Sequence, residues 1–205
     1  MACQPVLIAM DLEGVLVPEV WIAVAERTGI PTLRLTTRDV PDYDELMRGR
    51  LRILREHGLK LADIQNVIAG MDPLPGALDF ANRIRERFQL IILSDTYYEF
   101  ATPLMRKLGW PTLFCNSMET NGDNSIVNYH LRQRDGKKHA VLGFRALNFD
   151  VVAVGDSYND TAMLGEAHLG ILFRPSAKVR QDFPQFPVVE DYAALERHIS
   201  EHARR

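Results

Sequence analysis

Two cysteines in 205 residues, Cys3 and Cys115, are too few and too far apart for a disulfide framework or a cysteine-ligated metal site. Reduced thiols in a cytoplasmic protein are the expectation. No apolar run approaches the roughly 20 residues that a membrane span needs. No basic segment precedes the first apolar run, so a signal peptide is not expected either. Charge of either sign is also scarce in excess. A net charge of −3 leaves no basic footprint for nucleic acid and no acidic block for solvation. The six histidines form no ligand pattern. His198 and His202 are four apart on a charged terminal helix with no third ligand, and a solvated surface is expected there. What remains is an ordinary globular composition, 46% hydrophobic and 25% charged, long enough for one core with a small accessory unit.

The organising stretch is Val6-Leu-Ile-Ala-Met-Asp11-Leu-Glu13-Gly-Val-Leu-Val-Pro18-Glu19. Its first five residues are apolar without helical period, which predicts a strand buried on both faces. The run ends on Asp11, and Glu13 follows two residues later. In an open α/β sheet, ligands bind outside the carboxyl ends of the strands, where both acids belong. Two acids there can be a polar exit from a strand. They can also be a metal and proton-transfer pair, since repulsion is relieved by a cation or a shared proton.

Three helices are predicted next: Val20 to Gly29, Tyr43 to His57 with a stripe of Leu46, Met47, Arg50, Leu51 and Leu54, and Leu61 to Ala69. Residues 36–42 read as a linker with capping residues at its end. The segment 16–71 is therefore helical between α/β flanks, and a cap inserted after the first strand is expected. The core is expected in 1–15 and 72–205. A helix from Pro75 to Phe88 leads to a strand Leu90–Ser94. A helix Phe100–Leu108, a strand Thr112–Cys115 and a hairpin around Asn121-Gly122 follow. Lys137–Leu147 reads as a helix and Val151–Val154 as a buried strand that exits into Gly155-Asp156-Ser-Tyr-Asn159-Asp160. A short helix, a strand Leu169–Phe173, a rigid turn at 183–187, a short edge strand at Val188 and Val189 and a surface helix from Asp191 complete the chain. Alternating helices and buried strands predict right-handed crossovers and a parallel sheet.

Three buried strands thus end in polar groups, at Asp11 with Glu13, at Ser94 and at Asp156, and all three ends fall on one rim. Asp156 and Asp160 bring the rim to four carboxylates, with Lys137 as counter-charge. Such a cluster calls for a hard divalent cation, and oxygen-only ligands suit Mg²⁺.

This pattern resembles the haloacid dehalogenase superfamily of phosphotransferases over nearly the whole chain. Asp11-Leu-Glu13-Gly-Val15 is similar to the nucleophile motif and Ser94 to the phosphate-binding hydroxyl. Lys137 or Lys138 is similar to the motif lysine, and Gly155 to Asp160 to the acidic metal motif. The resemblance implies that Asp11 is phosphorylated and that Mg²⁺ bridges Asp11, the Glu13 backbone carbonyl and Asp156, with Asp160 behind them. It implies acid–base work for Glu13, where the family commonly has Asp. Glu19 and the run from Tyr43 to Leu54 resemble the cap of phosphoserine phosphatases, which implies that Glu19 meets the substrate amine and that Arg50, rather than Arg48 or Arg52, clamps its carboxylate. Asn159 is expected as a further substrate contact. Ser94-Asp95-Thr96 departs from the usual Ser-Gly-Gly. The whole pattern, Asp11 to Glu19, Ile92 to Phe100 and Gly155 to Asp160, instead resembles the bifunctional bacterial branch that hydrolyses L-phosphoserine and transfers its phosphoryl group to L-homoserine. The family also allows a homodimer, for which no interface patch is visible in the sequence.

Two other readings share part of this pattern. A phospho-accepting receiver module shares the acids, the hydroxyl and the lysine, but not the helical insertion or a nucleophile on the first strand. A related phosphatase for another small monoester differs only in the head group it would accept.

Overall fold

The computed structural model describes residues 4–36, 39–40 and 42–204. Cys3 and part of the 36–42 linker lie outside the described residues. The chain forms a seven-stranded sheet from β1 (Val6–Met10), β2 (Gln89–Tyr97), β3 (Thr112–Thr120), β4 (Ile126–His130), β5 (Asp150–Gly155), β6 (Leu169–Phe173) and β7 (Val188–Val189). Their order is β4-β3-β2-β1-β5-β6-β7, with β1 at the centre. Every pairing is parallel except β3 with β4.

The two faces of the sheet explain why the strands read as continuous apolar runs. In β1, Ile8 and Met10 pack into a cluster on one face, while Leu7 and Ala9 pack into another on the opposite face. The first cluster is covered by α1 (Val20–Thr28), α3 (Leu61–Ala69), α4 (Ala77–Arg85), α5 (Tyr98–Lys107) and α9 (Tyr192–His202). The second is covered by α6 (Gly136–Ala146), α7 (Thr161–Glu166) and α8 (Ala177–Asp182). Helix α2 (Tyr43–Glu56) contributes Met47 and Leu54 to the first cluster and meets β4 on its way. No helix is long and apolar enough to cross a membrane among the described residues.

Several elements differ from expectation. Helix α4 begins at Ala77 because Gly76, at φ 82°, turns the chain first; Pro75 stands outside it. Strand β2 runs three residues past Ser94 to Tyr97, with an irregular register against β3 between Leu93 and Tyr97. Strand β3 continues through Cys115 to Thr120, so one strand pairs in parallel with β2 and then forms the predicted hairpin with β4. Helix α8 was not foreseen; it is one short turn-and-a-half started by the Ser176 side chain, which accepts from the Val179 N–H. His202 is not simply solvated. Its Nε2 lies 2.9 Å from Asp150 Oδ1, and His168 approaches the same oxygen at 3.5 Å. The pairing joins the last helix to the start of β5, a contact between residues 52 apart that a helix-face reading cannot reveal.

Candidate active site

The sheet changes direction of winding at β1, whose neighbours are β2 on one side and β5 on the other. A crevice at the carboxyl ends of the strands is expected at such a switch point. Asp11 leaves β1 there, held by its N–H on the Val154 carbonyl at 2.9 Å, and its own Oδ1 accepts from the Leu12 N–H at 2.7 Å. The chain then turns sharply through Gly14, at φ 76°. A Cβ on Gly14 would lie 2.6 Å from the Asp156 carboxyl carbon, so glycine is required both for the turn and for the approach of the β5 loop.

Asp11, Asp156 and Asp160 each place a carboxylate oxygen within 4.8 Å of the others. Their duties differ. Asp160 is fully buried: its Oδ1 accepts from Lys137 Nζ at 2.8 Å, and its Oδ2 from the N–H groups of Asp156 and Ser157 at 2.9 and 3.0 Å. Asp160 therefore shapes the loop that carries Asp156. The Asp11 and Asp156 carboxylates are the oxygens best placed for a cation, and the oxygen-only chemistry of this buried, acid-rich corner fits Mg²⁺. Burial, followed by the neighbouring Asp160 and Asp156 charges, pushes the Asp11 carboxyl well above the usual carboxylate range despite the Lys137 ammonium. Three carboxylates and the Lys137 ammonium meet at this corner.

Lys137 is the lysine of the site. Its Nζ lies 2.9 Å from Asp11 and 2.8 Å from Asp160, with Asp95 at 3.7 Å. Burial alone would discharge it, but the carboxylates of Asp11, Asp160 and Asp95 hold its pKa well above the ordinary lysine value. Lys138 points the other way, to Glu166 on the surface at 3.2 Å. Ser94 is buried at the end of the apolar part of β2, and its Oγ accepts from the Thr96 N–H at 3.2 Å.

Glu13 stands differently from a plain partner of Asp11. Its Oε2 accepts from the Val20 N–H at 2.8 Å, at the first turn of α1. Burial, then the nearby Glu19 carboxylate, raise its carboxyl to about 8, against the lowering effect of that hydrogen bond.

Among the four arginines of α2, only Arg50 turns inward. Arg48 is exposed and paired with Asp44 at 2.5 Å, and Arg52 and Arg55 are exposed. Arg50 is 7% exposed; its Nη2 donates to the Leu35 carbonyl at 2.7 Å and its guanidinium lies 4.4 Å over the Trp21 ring. Its Nε is buried with no hydrogen-bond partner among the described residues. A cavity of about 200 Å³ is lined by Asp11, Glu13, Glu19, Arg50, Ser94, Lys137, Asp156 and Asn159, so every residue singled out in the sequence except Asp160 borders it. Glu19 and Asn159 are exposed at its edge.

Tyr97, which follows Ser94 in the sequence and is expected to fill the junction of core and cap, has a partner that no motif marks. Tyr43 and Tyr97 hydrogen-bond through their hydroxyls at 2.8 Å, and Tyr43 Oη also lies 3.4 Å from the Asp95 carbonyl. Both rings meet Tyr129 edge-on. Their pairing joins residues 54 apart, and no local spacing announces it.

The chain as a whole is similar to known proteins. A family model described as haloacid dehalogenase-like hydrolase matches residues 6–168. The chain belongs to that hydrolase family. It is 59% identical over 190 residues to the phosphoserine phosphatase ThrH of Pseudomonas aeruginosa, covering 93% of each chain. It is 56% identical over 203 residues to a phosphoserine phosphatase of Pseudomonas syringae pv. tomato, covering 99% of this chain and 86% of that one. Among solved structures, the phospho-aspartyl intermediate analogue of a phosphoserine phosphatase superposes with a TM-score of 0.76 at 16% identity. It covers 95% of this chain and 99% of that one, a likeness of fold. The stretches Asp11 to Val15 and Gly155 to Asp160 are the sequence signals on which the resemblance to this family rests.

Proposed function

We propose that this hydrolase is a magnesium-dependent phosphoserine phosphatase that works through an aspartyl-phosphate on Asp11. We propose further that it can pass the phosphoryl group either to water or to the hydroxyl of homoserine. The observation that carries the reading is Arg50. A buried guanidinium without an ion-pair partner among the described residues faces the same small cavity as Asp11, Ser94 and Lys137. A cation with a free donor, set apart from the phosphate end, fits a ligand that carries a carboxylate as well as a phosphate. A cavity of about 200 Å³ suits a small phospho-amino acid. It lies below the roughly 300–1,000 Å³ of sites for drug-sized ligands. The names of the two Pseudomonas relatives point the same way.

In this reading Lys137, the Ser94 hydroxyl and nearby backbone N–H groups hold the phosphate oxygens and neutralise their charge. Arg50 holds the substrate carboxylate and Glu19 its amine, while Asn159 closes the rim. The Asp11 carboxylate attacks phosphorus, the bond from phosphorus to the serine oxygen breaks, and Glu13 delivers a proton to that oxygen. A carboxyl raised to about 8 retains its proton near neutral pH, which suits it to that step. Glu13 then takes a proton from water or from homoserine as either attacks the aspartyl-phosphate. Asp11, Asp156 and the Glu13 backbone carbonyl would hold Mg²⁺, which supplies charge neutralisation at the phosphoryl group, and Asp160 keeps Asp156 in place. The segment 16–71 acts as a cap over this rim.

The test is incubation with Mg²⁺ and L-phosphoserine, with and without L-homoserine, measuring free phosphate and O-phosphohomoserine. Release of phosphate, partly diverted when homoserine is present and abolished in Asp11→Asn, is expected. Turnover that survives Asp11→Asn would refute the nucleophile, and phosphate undiminished by homoserine would refute the transfer.

A further inference from the structure

Beside the small cavity lies a second, larger hollow of about 850 Å³, walled by the β3–β4 hairpin and the residues that lead into α6. The two share Tyr43, Ser94, Asp95, Lys137, Tyr158 and Asn159. Ser94 and Lys137 are the phosphate end, so a phosphomonoester bound there has both spaces within reach. Of the shared residues, Tyr43 is the one on the helical segment. It is the first residue of α2, and Arg50 lies seven residues, two turns, further along on the same helix. The Tyr43 hydroxyl binds Tyr97 Oη on β2 and approaches the Asp95 carbonyl next to Ser94. Burial moves the Tyr43 phenol up to about 12, so the link stays neutral and does not loosen across the working pH range.

We propose that Tyr43 is the specificity-determining wall of the catalytic cavity. Latched to β2, its ring separates the small cavity from the larger groove, and it sets the span between the Arg50 guanidinium and the Ser94 phosphate end. The wall admits a free phospho-amino acid and excludes a phosphorylated chain, because the ring closes the side of the small cavity that faces the groove. The groove beyond, about 850 Å³, is lined by Arg132, Arg134 and Asn128 among others. The proposal rests on the phosphoserine reading above.

Two substrates separate the outcomes: L-phosphoserine and a Gly-phosphoserine-Gly tripeptide, each with Mg²⁺. The wild-type protein should turn over the first and scarcely the second. Tyr43→Ala removes the wall and should shift the ratio of kcat/KM at least 10-fold toward the tripeptide. Tyr43→Phe and Tyr97→Phe keep the rings and break one shared hydrogen bond. Each should raise KM for phosphoserine about 2- to 10-fold, and the double variant no more than either. The two phenylalanine variants carry the test if Tyr43→Ala does not fold. A folded Tyr43→Ala with the wild-type ratio, or phenylalanine variants with the wild-type KM, would overturn the proposal. A wild-type protein inert toward phosphoserine would instead overturn the reading on which it rests.

Discussion

Arg50 places function and stability in opposition at a single position. Among the described residues this guanidinium is held by a carbonyl, a thioether and an indole face, and it has lost its water without gaining a counter-ion there. Burial accordingly lowers its pKa. Replacing it by an apolar side chain of similar length removes a charge that is costly to bury. Arg50→Met is therefore expected to match or exceed the wild-type melting temperature. The same variant should lose about 10- to 100-fold in kcat/KM for phosphoserine, the worth of a charge-assisted hydrogen bond of roughly 1.5–3 kcal/mol. Thermal unfolding and steady-state kinetics on one preparation check both halves; a large fall in melting temperature would show that Arg50 holds the fold together instead. The sequence placed Arg50 on the inner stripe of α2 through Met47 and Leu54, three before and four after it. It could not show that Trp21 and Leu35, from other elements, hold the guanidinium in place.

At the scale of elements, the end of β5 controls the site more than any helix does. Gly155 closes the strand, and a Cβ there would sit 2.3 Å from Asp160 Cβ and Cγ. Asp160 in turn fixes the loop through the Asp156 and Ser157 N–H groups and anchors Lys137. Gly155→Ala must displace this carboxylate or the strand. A loss of about 2–3 kcal/mol in urea unfolding is expected, in the upper range of overpacked core sites. A change below about 0.5 kcal/mol would mean the loop yields without strain. The strands themselves were legible in the sequence because a doubly buried strand is a local pattern: apolar without period, ending on a polar residue. Helix α8 was not, since six residues with one buried valine carry too little periodicity to be distinguished from a loop.

For the whole molecule, the sheet brings Asp11, Asp156 and Asp160 together from residues about 150 apart in the chain, with the Lys137 ammonium at the same corner. A ligand that binds only the folded state stabilises it by mass action. Magnesium at 100 times its dissociation constant should add about 2.7 kcal/mol, which for a chain of this size raises the melting temperature by roughly 5–10 °C. Melting in Mg²⁺ against EDTA measures it, with Asp156→Asn as the variant in which the shift should vanish. Equal melting temperatures in both media would remove the metal from the proposal.

The sequence by itself determined the order of the strands, the carboxylates at the strand ends and the family, because each is written in contiguous residues. Only the tertiary structure decided between neighbours. Lys137 and Lys138 are one residue, about 100° of helix, apart, so only one can face the rim. Which one does is fixed by how α6 sits on the sheet, and it is Lys137. The same holds for Arg50 against Arg48 and Arg52, whose directions follow from the packing of α2 on the core. The Tyr43–Tyr97 link depends on how a helix of one segment approaches a strand of another, and no local pattern encodes that approach.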